Sequence, residues 1–314
     1  MTSVVLPLFN EAESLAQLHV ELARAFADQP VEFLFVDDGS TDGSWRVIRD
    51  LGAIDPRVRA IRLRRNFGKS AALSAGFAEA RGEVVMTLDA DLQDNPAEVG
   101  RFLDAIASGL DVVSGWKKAR HDPWHKVGPS RLFNWVVSRS TGCRLHDHNC
   151  GFKAYRREVL AEIDIYGELH RFIPVLAHAR GFRIGEIVVN HRPRRFGRSK
   201  YGVGRLVKGF LDLMTVRFLT RFRASPLHIL GSLGLVLLLL GSIGLIYLAV
   251  DWFREPIGGR PLLIYSAVLL GVGVQLLSLG VLAELVTAYN LRPSDTYSVA
   301  ERVEAKDQEP RDVV

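Results

Sequence analysis

Over the first 115 residues the chain alternates between two hydrophobic periods. Short apolar runs of the buried-strand kind fall at residues 4–6, 32–36, 58–63, 84–88 and 111–114. Between them, apolar residues recur at helical spacing. Leu15, Leu18, Leu22 and Phe26 form one such series, and Trp45, Ile48 and Leu51 start another. Residues 69–80 are Ala-rich and end at Gly82, and Pro96 opens a further helix. Pro7 is expected to stop the first strand. Strands alternating with helices predict an α/β fold with a mostly parallel, Rossmann-like sheet covered on both faces.

After Gly115 the chain becomes more polar, more basic and less regular. Residues 131–140 and 170–180 read as helical, and 184–189 as a late strand, before a basic loop at 191–201. In residues 203–222 one stripe holds Leu206, Val207, Phe210, Leu211, Met214, Phe218 and Phe222, with Arg205, Lys208, Asp212, Arg217 and Arg221 mostly elsewhere. A basic amphipathic helix of this kind lies in a membrane interface; the alternative is an ordinary core-facing helix.

Two long apolar runs follow. Residues 227–250 carry no charge, and 262–289 are interrupted only by Gln275 and Glu284. Each exceeds the ~20 residues needed to span a bilayer. Trp252, Tyr265 and Tyr289 sit near the boundaries. Arg217, Arg221, Arg223 and Arg292 flank the outer ends, which puts both termini in the cytoplasm and the catalytic part on the inner face of the cytoplasmic membrane. The expected organisation is a cytoplasmic domain at 1–202, interfacial helices at 203–226, two spans within 227–291 and a polar, disordered tail at 292–314.

The most telling polar features end two of the strands. Val36-Asp37-Asp38-Gly39-Ser40-Thr41-Asp42 is one. Leu88-Asp89-Ala90-Asp91-Leu92-Gln93-Asp94, about 50 residues on, is the other. Either alone could be a turn or a helix cap. Together they place carboxylates where ligands of open α/β sheets bind, beyond the strands' carboxyl ends. Oxygen ligands suit Mg²⁺ or Mn²⁺ with a substrate diphosphate. The net charge of +5 has its excess crowded between Arg192 and Arg223, as a juxtamembrane segment would; no nucleic-acid motif accompanies it, and nucleic acid is not expected as a partner. The cysteines are Cys143 and Cys150, and a reduced, cytoplasmic setting is expected. With His146 and His148 they make a C-x2-H-x-H-x-C string, but structural zinc sites usually draw ligand pairs from separate segments, so zinc is not the preferred reading.

These segments resemble the family-2 inverting glycosyltransferases of GT-A fold that load sugars onto polyprenyl phosphates. The resemblance is carried by Pro7-Leu8-Phe9-Asn10-Glu11, the two acidic clusters, Arg65-Asn66-Phe67-Gly68-Lys69, His146-Asp147 with Cys150-Gly151-Phe152-Lys153-Ala154-Tyr155-Arg156, and Gly197-Arg198-Ser199-Lys200-Tyr201. It implies that Pro7, Phe9, Glu11 and Asp38 line the nucleotide pocket, with Asp38 on base or ribose. Asp89, Asp91 and Gln93, with Ala90 between them, would hold the metal and through it the diphosphate. Lys117, Arg120, Ser130 and Arg131 fall where relatives bind the acceptor phosphate; Arg198 and Lys200 fall in a loop that closes on the diphosphate. For these basic residues the alternative is a solvated or lipid-facing charge.

The chemistry fits independently. A sugar nucleotide leaves readily only when its diphosphate charge is neutralised by metal and cations. A phosphate acceptor, mostly dianionic at pH 7, needs a cationic seat more than a general base. Asp147 is a candidate base or an anchor; His146 and His148 read as structural. What the resemblance implies is inverting transfer of a hexose to undecaprenyl phosphate among membrane lipids, with UDP-glucose the donor of choice because the two spans resemble the bactoprenol branch of the family. The alternatives are a GDP-mannose-dependent polyprenyl-phosphate enzyme or another lipid acceptor. A processive polysaccharide synthase fits less well, since no Gln-x-x-Arg-Trp segment is present, and a scaffold with a dead site would not keep all the acidic positions. Homo-oligomerisation is left open.

Overall fold

The computed structural model describes residues 1–118, 124–193, 212–216, 226–252 and 261–290. The strands are β1 (Thr2–Leu8), β2 (Val31–Asp37), β3 (Val58–Arg62), β4 (Val84–Thr87), β5 (Val112–Trp116), β6 (Lys153–Arg156) and β7 (Ile184–Val188). They form one seven-stranded sheet in the order β3-β2-β1-β4-β6-β5-β7. The helices are α1 (Ala12–Ala25), α2 (Ser44–Ile54), α3 (Lys69–Glu79), α4 (Val99–Ala107), α5 (Trp124–Thr141), α6 (Arg157–Ala161), α7 (Ile173–Ala179), α8 (Pro226–Trp252) and α9 (Pro261–Asn290). Short 3₁₀ turns precede α4 and α7. The fold is GT-A.

Successive β1 side chains face opposite ways, as strand geometry requires. Val4 and Leu6 join Leu15, Leu18 and Leu22 of α1, Ile48 of α2 and Phe102 of α4 on one face. Val5 joins Leu34, Val36 and Leu73 of α3 on the other. The sheet is thus buried on both sides, which explains its continuous apolar strands.

Two strand expectations are corrected. Pro7 does not stop β1, which runs to Leu8 and keeps its register with β2. Val5 turns its carbonyl toward Leu88 of the β4 side, and Leu8 turns its carbonyl to Asp38 on the β2 side. Pro7, two residues beyond Val5, therefore faces β4 just past the last β1–β4 pair, Val5 with Thr87, where no donor is required. The second correction is β6, which no period-2 pattern announced. It is antiparallel to both β4 and β5 and fills the slot between them.

A separate apolar cluster joins α5 (Val137) to Phe172 and Val175 and to Leu213 and Val216 of the helical turn at 212–216. The expected amphipathic stripe of 203–222 lies otherwise outside the described residues. Its one described member, Met214, is 58% exposed, while Leu213 and Val216 face the domain.

Helices α8 and α9 are long and apolar enough to cross a membrane, over Pro226–Trp252 and Pro261–Thr287. They pack closely along small residues: a Cβ on Gly273 would lie 2.8 Å from Leu238 Cγ and 2.9 Å from the Gly234 carbonyl oxygen. Glu284, the one acidic residue of the second run, accepts a hydrogen bond from the Leu227 N–H at the start of α8 (3.2 Å).

Candidate active site

The site gathers at the carboxyl ends of β1, β2 and β4 and is floored by β6. Beyond β4, Leu92 takes a left-handed backbone conformation (φ 60°) although it is a buried, bulky residue. That kink turns the loop between Asp91 and Gln93, and the Asp91 carboxylate (Oδ1) accepts the Gln93 N–H at 3.2 Å. Such strain is tolerated where the surroundings fix a functional loop.

Asp89 is half-buried and accepts a short hydrogen bond from the Lys69 ammonium, which arrives from the first residue of α3. Burial opposes its charge, but the Lys69 ammonium, with help from Lys117 and His170, holds its carboxyl well below the usual carboxylate range. Gly151 lies against it, with room for no side chain: a Cβ there would sit 2.5 Å from Asp89 Oδ2. Lys117 is largely buried, its side chain 13% exposed, and is ion-paired to Asp94 at 2.8 Å. Burial works against its charge, and the Asp94 carboxylate more than restores it, raising its pKa. It is therefore not a solvated surface charge. A small cavity beneath Asp89 is lined by Pro7, Lys69, Thr87, Lys153, Tyr155 and His170 among others. Lys153 is buried, and its ammonium donates to the carbonyls of His148 (3.3 Å) and Cys150. Burial lowers its pKa and depresses that of His170, whose Nδ1 lies 2.9 Å from Ser70 Oγ.

The other sequence-derived positions divide clearly. Pro7, Phe9, Glu11 and Asp38 stand at the ends of β1 and β2, and Ala90 is buried with its carbonyl accepting Ser14 Oγ–H at 2.7 Å. Asp38 accepts the N–H groups of Phe67 (2.7 Å) and Gly68 (2.9 Å) through its two carboxylate oxygens. Asp147 is buried, and its Oδ1 accepts the Asn149 N–H at 3.1 Å. Ser130 and Arg131 lie on α5, though the Arg131 side chain is outside the described part. Arg120, Arg198 and Lys200 lie outside the described residues. The approach to the 194–201 loop is pinned to the acidic loop: Asp94 bridges His191, and the Arg192 N–H donates to the Gln93 carbonyl at 2.9 Å.

Lys69, Gly151 and Lys153 stand within the family motifs of the sequence but carry no role there. The signal was present in Gly151, a glycine adjoining a strand beside the acidic run, a usual mark of close backbone approach. The four residues of the C-x2-H-x-H-x-C string go separate ways. Cys143 packs in the α5 cluster and Cys150 in the main core. His146 stacks on Trp116 at 4.0 Å, and His148 is buried with Nε2 3.0 Å from Ser138 Oγ.

The residues fit a divalent cation. Asp89 and Asp91 offer hard oxygen ligands on one loop, and the place already draws the Lys69 cation. Among the described residues no cage of three or more His, Cys, Asp or Glu converges. Mg²⁺ bound by one or two carboxylates plus substrate phosphates uses such an arrangement. When bound, it would neutralise charge on the leaving diphosphate.

A GT-A sheet ending in these carboxylates, among convergent cations, defines a glycosyltransferase. The chain belongs to glycosyl transferase family 2, whose model matches residues 3–164. It is similar to a dodecaprenyl-phosphate galacturonate synthase of Rhizobium johnstonii, 39% identical over 95% of this chain and 91% of that protein. An undecaprenyl-phosphate 4-deoxy-4-formamido-L-arabinose transferase of Aeromonas hydrophila is 36% identical over 91% of this chain and 88% of that protein. Among solved structures, glucosyl-3-phosphoglycerate synthase from Mycobacterium tuberculosis, in complex with Mn²⁺ and UDP-glucose, shares the fold. Its TM-score is 0.53 at 18% identity, covering 69% of this chain and 78% of that one.

Proposed function

We propose that this glycosyltransferase moves a sugar, with inversion, from a nucleotide-diphosphate donor to the phosphate of a polyprenyl phosphate. The reaction takes place at the cytoplasmic face of the inner membrane and uses Mg²⁺ or Mn²⁺ held by Asp89, Asp91 and Gln93. The observation that carries this reading is the joining of a cation-seeking acidic loop to a domain that continues into two membrane-length helices. A lipid-borne phosphate is the acceptor that needs both. The names of the similar proteins, both polyprenyl-phosphate sugar enzymes, support it.

The surface supports a membrane setting as well. On α5, Leu132 and Trp135 are 62% and 64% exposed. Through Val137 the same helix packs on the turn at 212–216, whose Met214 is also outward. Only nine residues separate that turn from Pro226 in the sequence, so this apolar face adjoins the first membrane-length helix along the chain. Exposed tryptophan is characteristic of the head-group level.

Lys117, Ser130 and Arg131, with Arg120, seat the acceptor phosphate in this reading, and Asp147 anchors the loop around them or serves as base. Arg198 and Lys200 close over the diphosphate. Glucose, galacturonate and formamido-arabinose are the sugars to test first: the first from the architecture, the others from the similar proteins' names.

The test is transfer of radiolabelled sugar from a panel of UDP- and GDP-sugars into vesicles containing undecaprenyl phosphate. Label in a mild-acid-labile lipid supports the reading, and the productive donor names the sugar. Label in diacylglycerol or ceramide products instead, or only from GDP-mannose, would replace the acceptor or the donor respectively.

A further inference from the structure

We infer that Phe67, with the Arg65 guanidinium over its ring, is a stacking platform for the base of the donor nucleotide. The inference rests on the reading of a nucleotide donor given above, and deepens it.

Phe67 lies in the short connection between β3 and α3, at the carboxyl edge of the sheet. It is 52% exposed, and the Arg65 guanidinium carbon stands 4.2 Å from its ring centroid. Free exposure of a large aromatic side chain forgoes the gain that burial would bring. Here the backbone is held so that the ring stays out. The carboxylate of Asp38, itself buried, accepts the Phe67 and Gly68 N–H groups at 2.7 and 2.9 Å. Gly39, at φ +72°, touches the same connection so closely that a Cβ would lie 2.5 Å from the Arg65 carbonyl carbon. Arg62 ties the base of the connection to the Ser40 carbonyl at 3.0 Å. Gly68, at φ +95°, then turns the chain into α3, whose first residue sends its ammonium to Asp89.

Phe67 thus stands on a fixed bridge. One end is clamped to the end of β2, and the other leads directly to the carboxylate expected to hold the metal and diphosphate. A nucleoside diphosphate anchored at Asp89 and Asp91 carries a flat ring away from its phosphates. An aromatic face paired with a guanidinium suits such a ring, because every base has a π-face and Arg adds a cation–π contribution. Asp38 then acts as a positioning residue that holds the platform. This assigns a role to the Arg65-Asn66-Phe67-Gly68 run that the metal and phosphate chemistry left without one.

The test uses the full-length protein in nanodiscs with Mg²⁺, titrated with UDP, GDP and inorganic pyrophosphate. Phe67→Ala should weaken binding of the nucleotide that wild type binds by about tenfold, leave pyrophosphate binding as in wild type, and raise donor KM rather than lower kcat. Phe67→Trp should restore affinity and add fluorescence that the nucleotide quenches, measured as the difference from wild type. Unchanged nucleotide affinity in Phe67→Ala would overturn the platform. So would equal losses for nucleotide and pyrophosphate, which would mean that the loop had merely shifted. If wild type bound pyrophosphate but neither nucleotide, the donor reading itself would fall, and the platform with it.

Discussion

Asp91 and Gly151 both bear on the candidate metal site, the first as a carboxylate of the acidic loop and the second by its close approach to Asp89. Asp91 lies on a strained loop at a strand end and is not part of an apolar cluster, so Asp91→Asn should keep the fold and remove a metal charge. Transfer should drop below a few per cent of wild type even at saturating Mn²⁺, with thermal unfolding unchanged. Gly151→Ala tests the floor. Its new methyl would displace the Asp89 carboxylate from 2.5 Å, so kcat should fall by at least about tenfold while expression and melting stay near wild type. His148 gives a pH prediction. Burial lowers its pKa to about 4 from an ordinary value of 6.5. The unfolded chain therefore takes up the proton first as pH falls. Stability is complete above about pH 6.5 and is lost between there and about pH 4, by about 3 kcal/mol in all. His148→Gln, which can keep the Ser138 hydrogen bond, should flatten that limb of the urea midpoint against pH. Residues like these were legible in the sequence to different degrees. Carboxylates at strand ends announce themselves by type and spacing. The partner of Lys69 does not, because its ion pair with Asp89 arises only when α3 and the loop after β4 meet in space. Lys153 turns back onto the His148 and Cys150 carbonyls of its own segment, which no residue type announces.

Among the elements, β1 to β5 and β7 could be read from their short apolar runs, and both long apolar helices from length and near absence of charge. The strand β6 could not. It has four residues, Lys153 to Arg156, two of them basic, and its pairing on both sides comes from strands far away in sequence. The tertiary setting overrides local preference there. The membrane-length pair makes a prediction at this scale. Their contact depends on glycines that let backbones approach, so Gly273→Val should push α9 from α8. The detergent-solubilised variant should lose several degrees in melting temperature, while its affinity for nucleotide, measured below that temperature, stays near wild type. A mutated pair that melted as wild type would mean that these helices are held by something other than their small-residue seam.

For the molecule as a whole, division of labour between head and anchor is the main expectation. The last described residues packed into the head cluster are Leu213 and Val216. A chain ended after Arg223 keeps both. It should fold, bind nucleotide sugar and be stabilised by it in a thermal-shift assay. Its transfer to vesicle-borne undecaprenyl phosphate should fall at least about tenfold through loss of the anchor; equal rates for the two forms would make the spans dispensable. The position of β6 also bears on the order in which the protein can be made. Strands β4 and β5 do not pair with each other, and β6 joins them only after α5 has been synthesised. On a growing chain β1 to β4 can assemble early, but β5 has no neighbour until β6 and β7 leave the ribosome. Gly151 and Lys153, the floor of the acidic site, arrive in that same late stretch. On the proposed function, the nascent chain would complete the floor of its site before the first membrane-length helix is made, and would be able to bind donor before it is anchored.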